Sequence, residues 1–81
     1  MKYTTYVLKS IKDGKRYIGF TNNLTQRTKK HNRGGVASTK KRIPLKVIHA
    51  EQFETREEAE KSERFLKSGQ GRKWLNNNGI K

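Results

Sequence analysis

The sequence predicts a small α/β domain of the α+β type, with helices flanking an at least partly antiparallel three-stranded sheet. Three observations carry this prediction: an Asp-Gly pair between two segments rich in β-forming residues, a third such segment after a proline, and cap residues ahead of polar, helix-forming segments. The expected order is β-β-α-β-α-α. Because 81 residues close only one modest core, we expect residues 1–81 to form a single domain.

The first two strands are expected in "YTTYVLKS" and "RYIGFT", on either side of Asp13 and Gly14. Asp-Gly is a strong signal for a hairpin turn. If these two residues alone form the turn, Tyr6 and Tyr17 share a face of the sheet and lie about four residues apart along the ladder. A wider loop brings them closer, and the sequence leaves the register open.

The first helix is expected in "LTQRTKKHN", with Asn22 or Asn23 as its N-cap and a glycine pair beyond its end. Arg27 and His31 fall on the same side of this helix as its large apolar residue. A guanidinium group on an inward face is unusual unless it has an anionic partner. This phase therefore marks Arg27 as a candidate functional residue.

The second half of the chain begins with a basic loop, which ends at Pro44 before the third strand, "LKVIHAEQF". Thr55 and Glu58 form a capping-box pattern that opens a second helix, and Gly69 is expected to stop it. The core side of that helix is predicted to carry Ala59, Ser62, Phe65 and Leu66. The final segment, "GRKWLNNNG", is expected to dock Trp74 and Leu75, with Trp74 in the core.

The charge balance indicates a polyanionic partner. Lys and Arg number 20 against 7 Asp and Glu, a formal net charge of +13. Residues 1–50 contain a single acid, Asp13, whereas all other acids lie between Glu51 and Glu63. A basic surface beside a locally acidic helix favours nucleic acid, DNA first, because phosphates neutralise the charge and release counterions. A merely soluble basic surface and an RNA-binding protein are the alternatives.

Composition also excludes several classes of protein. No apolar run approaches the roughly 18 residues of a membrane span, and the first ten residues lack the apolar stretch of a signal peptide. We therefore expect a cytoplasmic, intracellular protein that does not enter the membrane. The absence of cysteine excludes disulfides and thiolate metal sites.

One ordered set of residues resembles a known family. It comprises Tyr6, the "YIG" segment with Tyr17 and Gly19, Arg27 and His31 in an R-x-x-x-H helix, and Glu63 in "ERFLK". This set resembles the GIY-YIG endonuclease superfamily, and most closely its small single-domain members, which look like the N-terminal nuclease domain of UvrC. The chain departs from the first motif, because Thr4 and Thr5 stand where that motif has Gly and Ile.

The resemblance implies a metal-dependent endonuclease that hydrolyses phosphodiester bonds of DNA with one Mg²⁺ or Mn²⁺ ion per site. It implies cleavage of low sequence specificity or cleavage directed by substrate structure, in DNA repair or recombination. With no appended recognition module in the sequence, a protein partner that delivers the domain to its target is a further expectation; the oligomeric state stays open. The alternative is a non-catalytic DNA- or RNA-binding module with the same fold.

The resemblance also implies a role for each residue of this set. Arg27 suits two phosphate oxygens, because its charged guanidinium is planar and permanent. One of Tyr6 and Tyr17 orients the attacking water or accepts its proton, and which one does so stays open. His31 positions the nucleophile, assists as a base or binds phosphate. Gly19, a structural position of the motif, is expected to allow a neighbouring element or substrate to approach closely.

The metal ligand is expected to be Glu63, on the resemblance of its segment to that of the family. Helical phase does not decide between Glu63 and Glu58, and Glu58 already has a role in the capping box with Thr55. The alternative role for Glu63 is an i,i+4 ion pair with Lys67 on a solvated helix.

A rim of basic residues is expected to bind nucleic-acid phosphates around the site. Such contacts contribute affinity and salt dependence rather than sequence choice. Ser38 and Thr39 are expected to donate hydrogen bonds to phosphate or to their own loop. The predicted rim consists of Lys29, Lys30, Arg33, Lys40, Lys41, Arg42, Lys46 and Lys67.

Overall fold

The structure, a computed structural model, describes residues 2–81. Its elements are β1 (Tyr3–Ser10), β2 (Arg16–Thr21), α1 (Leu24–Asn32), β3 (Leu45–Phe53), α2 (Arg56–Lys67) and α3 (Gly69–Asn77). The sheet has the strand order β2-β1-β3, and both pairings are antiparallel. The predicted fold class and element order are therefore confirmed, and the sheet is antiparallel throughout. No helix within residues 2–81 is long and apolar enough to cross a membrane.

The β1–β2 hairpin uses the wider of the two expected loops. Five residues separate the strands, and Gly14 within this loop has φ +75°, a left-handed conformation that favours glycine. In this register Tyr6 pairs with Gly19 and Tyr17 pairs with Leu8. The two tyrosines share a face and are offset by two residues along the ladder.

Strand β1 is the centre of the molecule because both of its faces are covered. Tyr6 belongs to one buried cluster, against which Leu24 of α1 packs. Val7 points the other way, into a second cluster with Leu66 of α2 and Leu75 of α3. Successive side chains of a strand point to opposite faces of the sheet. Helix α1 therefore covers one face, and α2 and α3 cover the other.

A β-bulge in β3 adjusts which side chains reach each face. Val7 of β1 pairs with His49, but Leu8 pairs with Val47, so Ile48 is the extra residue. Val47 packs against the cluster that contains Tyr6, whereas Ile48 packs against the one that contains Val7. His49 also lies on the side of α3, where its ring contacts Trp74 edge-on at 5.5 Å between centroids.

The helix starts follow the predicted caps. The side chain of Asn23 accepts a hydrogen bond from the Gln26 N–H at the start of α1. Thr55 Oγ1 accepts from the Glu58 N–H, one of the two bonds of a capping box, and the Glu58 carboxylate accepts from the Thr55 hydroxyl instead of from the Thr55 N–H. Ser68 both ends α2 and caps α3. Gly69, the predicted stop of α2, is instead the first residue of α3.

Two aromatic residues predicted to lie in the core are exposed. Phe65 is 43% exposed and Trp74 is 37% exposed. The buried stripe of α2 runs through Ala59 and Leu66, with Ser62 half-buried between them, which leaves Phe65 at the side. The chain turns into α3 at Ser68. Of the two residues predicted to dock from this last segment, Leu75 is fully buried and Trp74 is exposed. The predicted core positions of Phe65 and Trp74 are therefore wrong.

The basic loop between α1 and β3 is tied down at its end. The side-chain amide of Asn32 donates to the Leu45 carbonyl and accepts from the Leu45 N–H, at 3.1 and 2.7 Å. Ser10 Oγ donates to the Arg42 carbonyl at 2.6 Å, and the Arg42 guanidinium pairs with Asp13 at 2.8 Å. These contacts hold the loop against the hairpin and the edge of the sheet.

We expect Gly71→Ala to destabilise the protein strongly. An added Cβ would overlap the Phe65 carbonyl oxygen and lie 2.5 Å from Leu66 Cα, both backbone atoms of α2, so α3 would have to move. Overpacking of this kind costs about 3 kcal/mol or more when backbone must shift. Urea unfolding measures the change.

Gly69→Ala is the matched control, because nothing lies within 4 Å of an added Cβ at that position. Its unfolding free energy should stay close to that of the wild type or rise slightly. Equal stability of both variants would contradict the close packing of α2 on α3.

Candidate active site

The hydroxyl of Tyr6 is the meeting point of three residues predicted for the site. Tyr6 lies on β1 and is 3% exposed, and its ring points towards α1. Arg27 Nε donates a hydrogen bond to Tyr6 Oη at 3.2 Å, and His31 Nε2 lies 3.4 Å from the same oxygen. The two α1 residues are one helical turn apart, so they reach the same strand position. The fold thus brings Tyr6, Arg27 and His31 together.

Gly19 lies on β2 directly opposite Tyr6. A Cβ at this position would sit 2.6 Å from Tyr6 Oη and 2.8 Å from Tyr6 Cζ, closer than real Cβ contacts. Because Gly19 has no Cβ, the ring of Tyr6 can lie directly across the backbone of β2. A side chain at residue 19 would displace the hydroxyl that Arg27 and His31 contact.

Thr39 completes the cluster from the basic loop. Its Oγ1 lies 2.8 Å from His31 Nδ1, and the residue is 1% exposed. The N–H of Thr39 donates to the Val36 carbonyl, so a turn sets its position. The sequence predicted that Thr39 donates to phosphate or to its own loop, and its Oγ1 does donate to the Val36 carbonyl at 3.5 Å. The contact with His31 was not predicted, because a loop residue carries no periodicity that reveals its partner.

Two neutral tautomers of His31 fit this arrangement. With the proton on Nδ1, the imidazole donates to Thr39 and its Nε2 accepts the Tyr6 hydroxyl proton. With the proton on Nε2, the imidazole donates to Tyr6, and the Tyr6 hydroxyl is free to donate elsewhere. The tautomer therefore decides whether Tyr6 can pass its proton to His31.

The surroundings of His31 hold it in the neutral form. Burial lowers the pKa of His31 below its ordinary value of 6.5, and the charges of Arg27 and Lys30 lower it further. At neutral pH the imidazole is uncharged and one of its nitrogens can accept a proton. This state suits a proton acceptor better than a phosphate-binding cation.

Tyr17 lies on the same face as Tyr6 but outside its hydrogen-bonded cluster. Its half-buried ring packs against the cluster of Tyr6, Leu8 and Leu45. Within residues 2–81 its hydroxyl has no hydrogen bond to Tyr6, Arg27 or His31. It also lines a cleft between the hairpin and α2. Tyr17 is therefore beside the site, facing a second surface.

Glu63 lies on α2, which covers the opposite face of the sheet from α1. Its carboxylate is 3.5 Å from Lys67 Nζ, and its side chain is 19% exposed. Glu58, the other candidate ligand, accepts the Thr55 hydroxyl in the capping box. Of the two carboxylates, only that of Glu58 is used in capping a helix. The ion pair that the sequence offered as the alternative role of Glu63, with Lys67, is present.

The described part of the chain has no group of three or more His, Cys, Asp and Glu side chains that could enclose a metal ion. A metal ion at Glu63 would therefore take most of its ligands from water and substrate. Mg²⁺ accepts this arrangement, because it retains several waters and is often bound through one or two carboxylates and substrate phosphates. The donor set fits Mg²⁺ or Mn²⁺ better than an ion that needs an all-protein cage.

The predicted basic rim divides into free and paired side chains. Lys29, Lys30 and Arg33 are exposed and line a groove of about 430 Å³ together with Arg27. Lys40, Lys41 and Lys46 are also exposed, and no carboxylate of residues 2–81 pairs with any of these six. Arg42 pairs with Asp13, and Lys67 pairs with Glu63. The groove beside Arg27 is thus lined by unneutralised positive charge.

A comparison with protein families identifies the chain. The family model described as GIY-YIG catalytic domain matches residues 2–77. The chain belongs to the GIY-YIG family. Membership in this family suggests a nuclease-type domain.

Similar GIY-YIG chains carry the name UPF0213. A UPF0213 protein of Bacillus licheniformis is 46% identical over 63 residues, which are 76% of this chain and 64% of that protein. One of Listeria welshimeri is 49% identical over 63 residues, covering 76% of this chain and 69% of that protein. The chain thus spans somewhat less than two thirds of the Bacillus licheniformis relative.

The fold has a solved counterpart. The solution NMR structure of a UPF0213 protein from Bacillus halodurans is 32% identical, with a TM-score of 0.57, over 95% of this chain and 84% of that one. The antiparallel sheet and its three helices are therefore shared with a small GIY-YIG protein.

The departure of this GIY-YIG chain from the first motif lies in the strand and not in the hydrogen-bonded cluster. Thr4 and Thr5 are buried, and Thr5 Oγ1 donates to the Ala59 carbonyl of α2 at 2.7 Å. The buried hydroxyl of Thr5 is thus paired, which removes most of the cost of placing it in the core. Thr5 also ties β1 to α2.

We expect the unfolding free energy to fall as the pH is lowered below about 6.5. The unfolded chain takes up a proton at the ordinary pKa of His31, whereas the folded chain takes it up only at lower pH. The slope reaches at most about 1.4 kcal/mol per pH unit for one group. Urea unfolding between neutral and mildly acidic pH measures this loss, which is absent above the ordinary pKa.

His31→Gln should remove this pH dependence, and His49→Gln, on the other face of the sheet, should retain it. The lowered pKa of Asp13 contributes only below its ordinary value of 3.8, outside the window. The same loss of stability in wild type and His31→Gln would contradict the buried, neutral imidazole.

Proposed function

We propose that this GIY-YIG domain is a metal-dependent endonuclease that hydrolyses phosphodiester bonds of DNA, with low sequence specificity or directed by substrate structure. One observation carries the proposal: Arg27 donates to the buried hydroxyl of Tyr6, which also lies against His31. Burying the polar groups of Tyr6 and His31 beside a half-buried Arg27 costs desolvation energy that an apolar core would avoid. A site that must stabilise and move charge has a reason to retain them.

Arg27 binds the phosphate in this proposal. Its Nε is used by Tyr6, while no residue of 2–81 occupies its two terminal nitrogens. Those nitrogens remain available for two phosphate oxygens, and the groove beside them is lined by Lys29, Lys30 and Arg33. The negative charge that grows on the phosphate during attack is then opposed by a cation already fixed in position.

Tyr6 is the tyrosine we assign to the proton of the attacking water. The Arg27 guanidinium favours negative charge on the Tyr6 oxygen, and neutral His31 can accept the Tyr6 proton through Nε2. The other ring nitrogen of His31, Nδ1, is hydrogen-bonded to Thr39 Oγ1, which fixes the orientation of the imidazole. Tyr17 has neither contact, so its role is to position water or substrate beside the site.

Glu63 is the residue that would hold the divalent ion, Mg²⁺ or Mn²⁺. When bound, such an ion neutralises phosphate charge and makes a coordinated water more acidic. Glu63 would give up or share its 3.5 Å contact with Lys67 to bind the ion. Glu58 is less suited, because its carboxylate accepts the hydroxyl of the helix cap.

A non-catalytic nucleic-acid-binding module is the second candidate. One observation favours it: Glu63 and Arg27 lie on helices that cover opposite faces of the sheet. They can act on one phosphate only around the edge of the sheet, where β2 is the outer strand. A module of this kind would retain the basic groove and bind DNA or RNA without cleaving it.

The test is cleavage of plasmid, branched-junction and single-stranded DNA at low salt with Mg²⁺, Mn²⁺ or EDTA. We expect metal-dependent nicking that Tyr6→Phe and Arg27→Ala each reduce by about 100-fold or more, because the first removes the acceptor of the water proton and the second removes charge stabilisation of the phosphate in the transition state. Fluorescence anisotropy on the same DNAs should show that binding by Tyr6→Phe survives.

Tyr3→Phe is the matched control, since Tyr3 lies on the same strand without contacts to the cluster, and it should cleave as the wild type does. Binding without cleavage on every substrate would overturn the nuclease and favour the non-catalytic module.

Glu63→Gln should abolish the metal-dependent cleavage, whereas Glu58→Gln should retain it and lose only the stability of a helix cap, about 1 kcal/mol. Line broadening of NMR signals near Glu63 by Mn²⁺ reports the binding of the ion without relying on activity. Cleavage and broadening that persist in Glu63→Gln would exclude Glu63 as the ligand.

A further inference from the structure

A second cleft lies on the other side of Tyr17 from the Tyr6 cluster. It has a volume of about 690 Å³ and is formed by the hairpin, the end of α2 and the first turns of α3. Its floor is apolar and includes Leu66, while its walls carry four cations: Lys15, Arg16, Lys67 and Arg72.

The positive charge of this cleft is only partly neutralised. Glu63 pairs with Lys67. Arg16 donates to Asn76 Oδ1 at 3.0 Å and to the Ile80 carbonyl at 2.8 Å, and both acceptors are uncharged. Within residues 2–81, neither Lys15 nor Arg72 forms a side-chain ion pair with a carboxylate, although the Lys15 N–H donates to Asp13 Oδ1 at 2.9 Å. Like charges gathered around one concave surface repel one another, and an anion in the cleft removes that cost.

Arg16 gives the cleft a fixed cation. Its two hydrogen bonds to the C-terminal segment hold the guanidinium in one position, so little side-chain entropy is lost when a ligand binds. Lys15, in the hairpin loop, and Arg72, on α3, are both exposed and line the same cleft as Arg16. This arrangement fits a compact anion approached from more than one direction.

We infer that this cleft binds a second backbone phosphate of the bound nucleic acid, distinct from the phosphate held at Arg27. The inference rests on the proposed function for the identity of the polyanion. Tyr17 joins the two places, because its ring packs against the cluster of Tyr6 and also lines the cleft. A nucleic-acid backbone that crosses Tyr17 therefore meets cations on both sides of it.

Binding in EDTA tests the cleft separately from cleavage. We would measure fluorescence anisotropy of a labelled oligonucleotide over a range of salt concentrations with Lys15→Gln, Arg72→Gln and the double variant. Lys61→Gln, which removes one exposed charge of α2 outside the cleft lining, is the matched control. Arg16 is left unchanged, because its hydrogen bonds also hold the C-terminal segment.

Each cleft variant should bind about three- to tenfold more weakly than Lys61→Gln, and in the double variant the negative slope of log K against log salt should decrease in magnitude by about 0.9. If the wild type cleaves DNA, KM should rise in these variants while kcat is unchanged. Affinities and slopes equal to those of Lys61→Gln would overturn the inference.

A second experiment identifies the phosphate itself. A single neutral methylphosphonate linkage is moved stepwise along the oligonucleotide, and one position should weaken binding by the wild type but not by the double variant, because that contact is already lost. Positions that weaken both proteins equally at every step would overturn the assignment of the cleft to a backbone phosphate. Absence of cleavage by the wild type would overturn the nuclease alone, since both experiments measure binding.

Discussion

The placement of the Tyr6 ring across Gly19 is the constraint on which the candidate site depends. Tyr6 belongs to the central strand, so its ring is part of the core, and its hydroxyl emerges where α1 supplies Arg27 and His31. One residue thus packs the sheet against α1 and accepts the hydrogen bond of the cation. Because stability and chemistry share this side chain, the missing Cβ of residue 19 matters for both.

The central strand also explains how a basic chain of this size folds. Residues 4–8 of β1 are all buried, so one strand provides the core of both faces. The loop that carries Thr39 is held by Asn32 and Ser10 at its end, which keeps a buried hydroxyl beside His31 despite the surrounding lysines. Positively charged side chains lie on the exposed face of α1 and in the basic loop, where a polyanion can reach them.

The acidic side chains of α2 and the basic side chains of α1 lie on opposite faces of the sheet, and this separation bears on the proposed endonuclease reaction. The acids are concentrated on α2, behind the sheet, and the cations of the proposed phosphate site are on α1, in front of it. Glu63 and Arg27 are therefore kept from neutralising each other, and Lys67 partners Glu63 instead. In the proposed endonuclease reaction, the phosphates of the substrate and an ion held at Glu63 would complete the site.

The sequence by itself determined the order of elements and three residues of the cluster, Tyr6, Arg27 and His31. Turn, cap and stop signals are local, so the Asp13 turn region and the Asn23 and Thr55 caps specify where elements begin and end. Helical phase placed Arg27 and His31 on one face. Only the tertiary structure decided that Thr39 partners His31, that Phe65, Trp74 and Gly69 depart from their predicted places, and that the Glu63 helix covers the far face. These contacts depend on how α2 and α3 cross the sheet and how the loop returns to it, and no local pattern encodes such long-range packing.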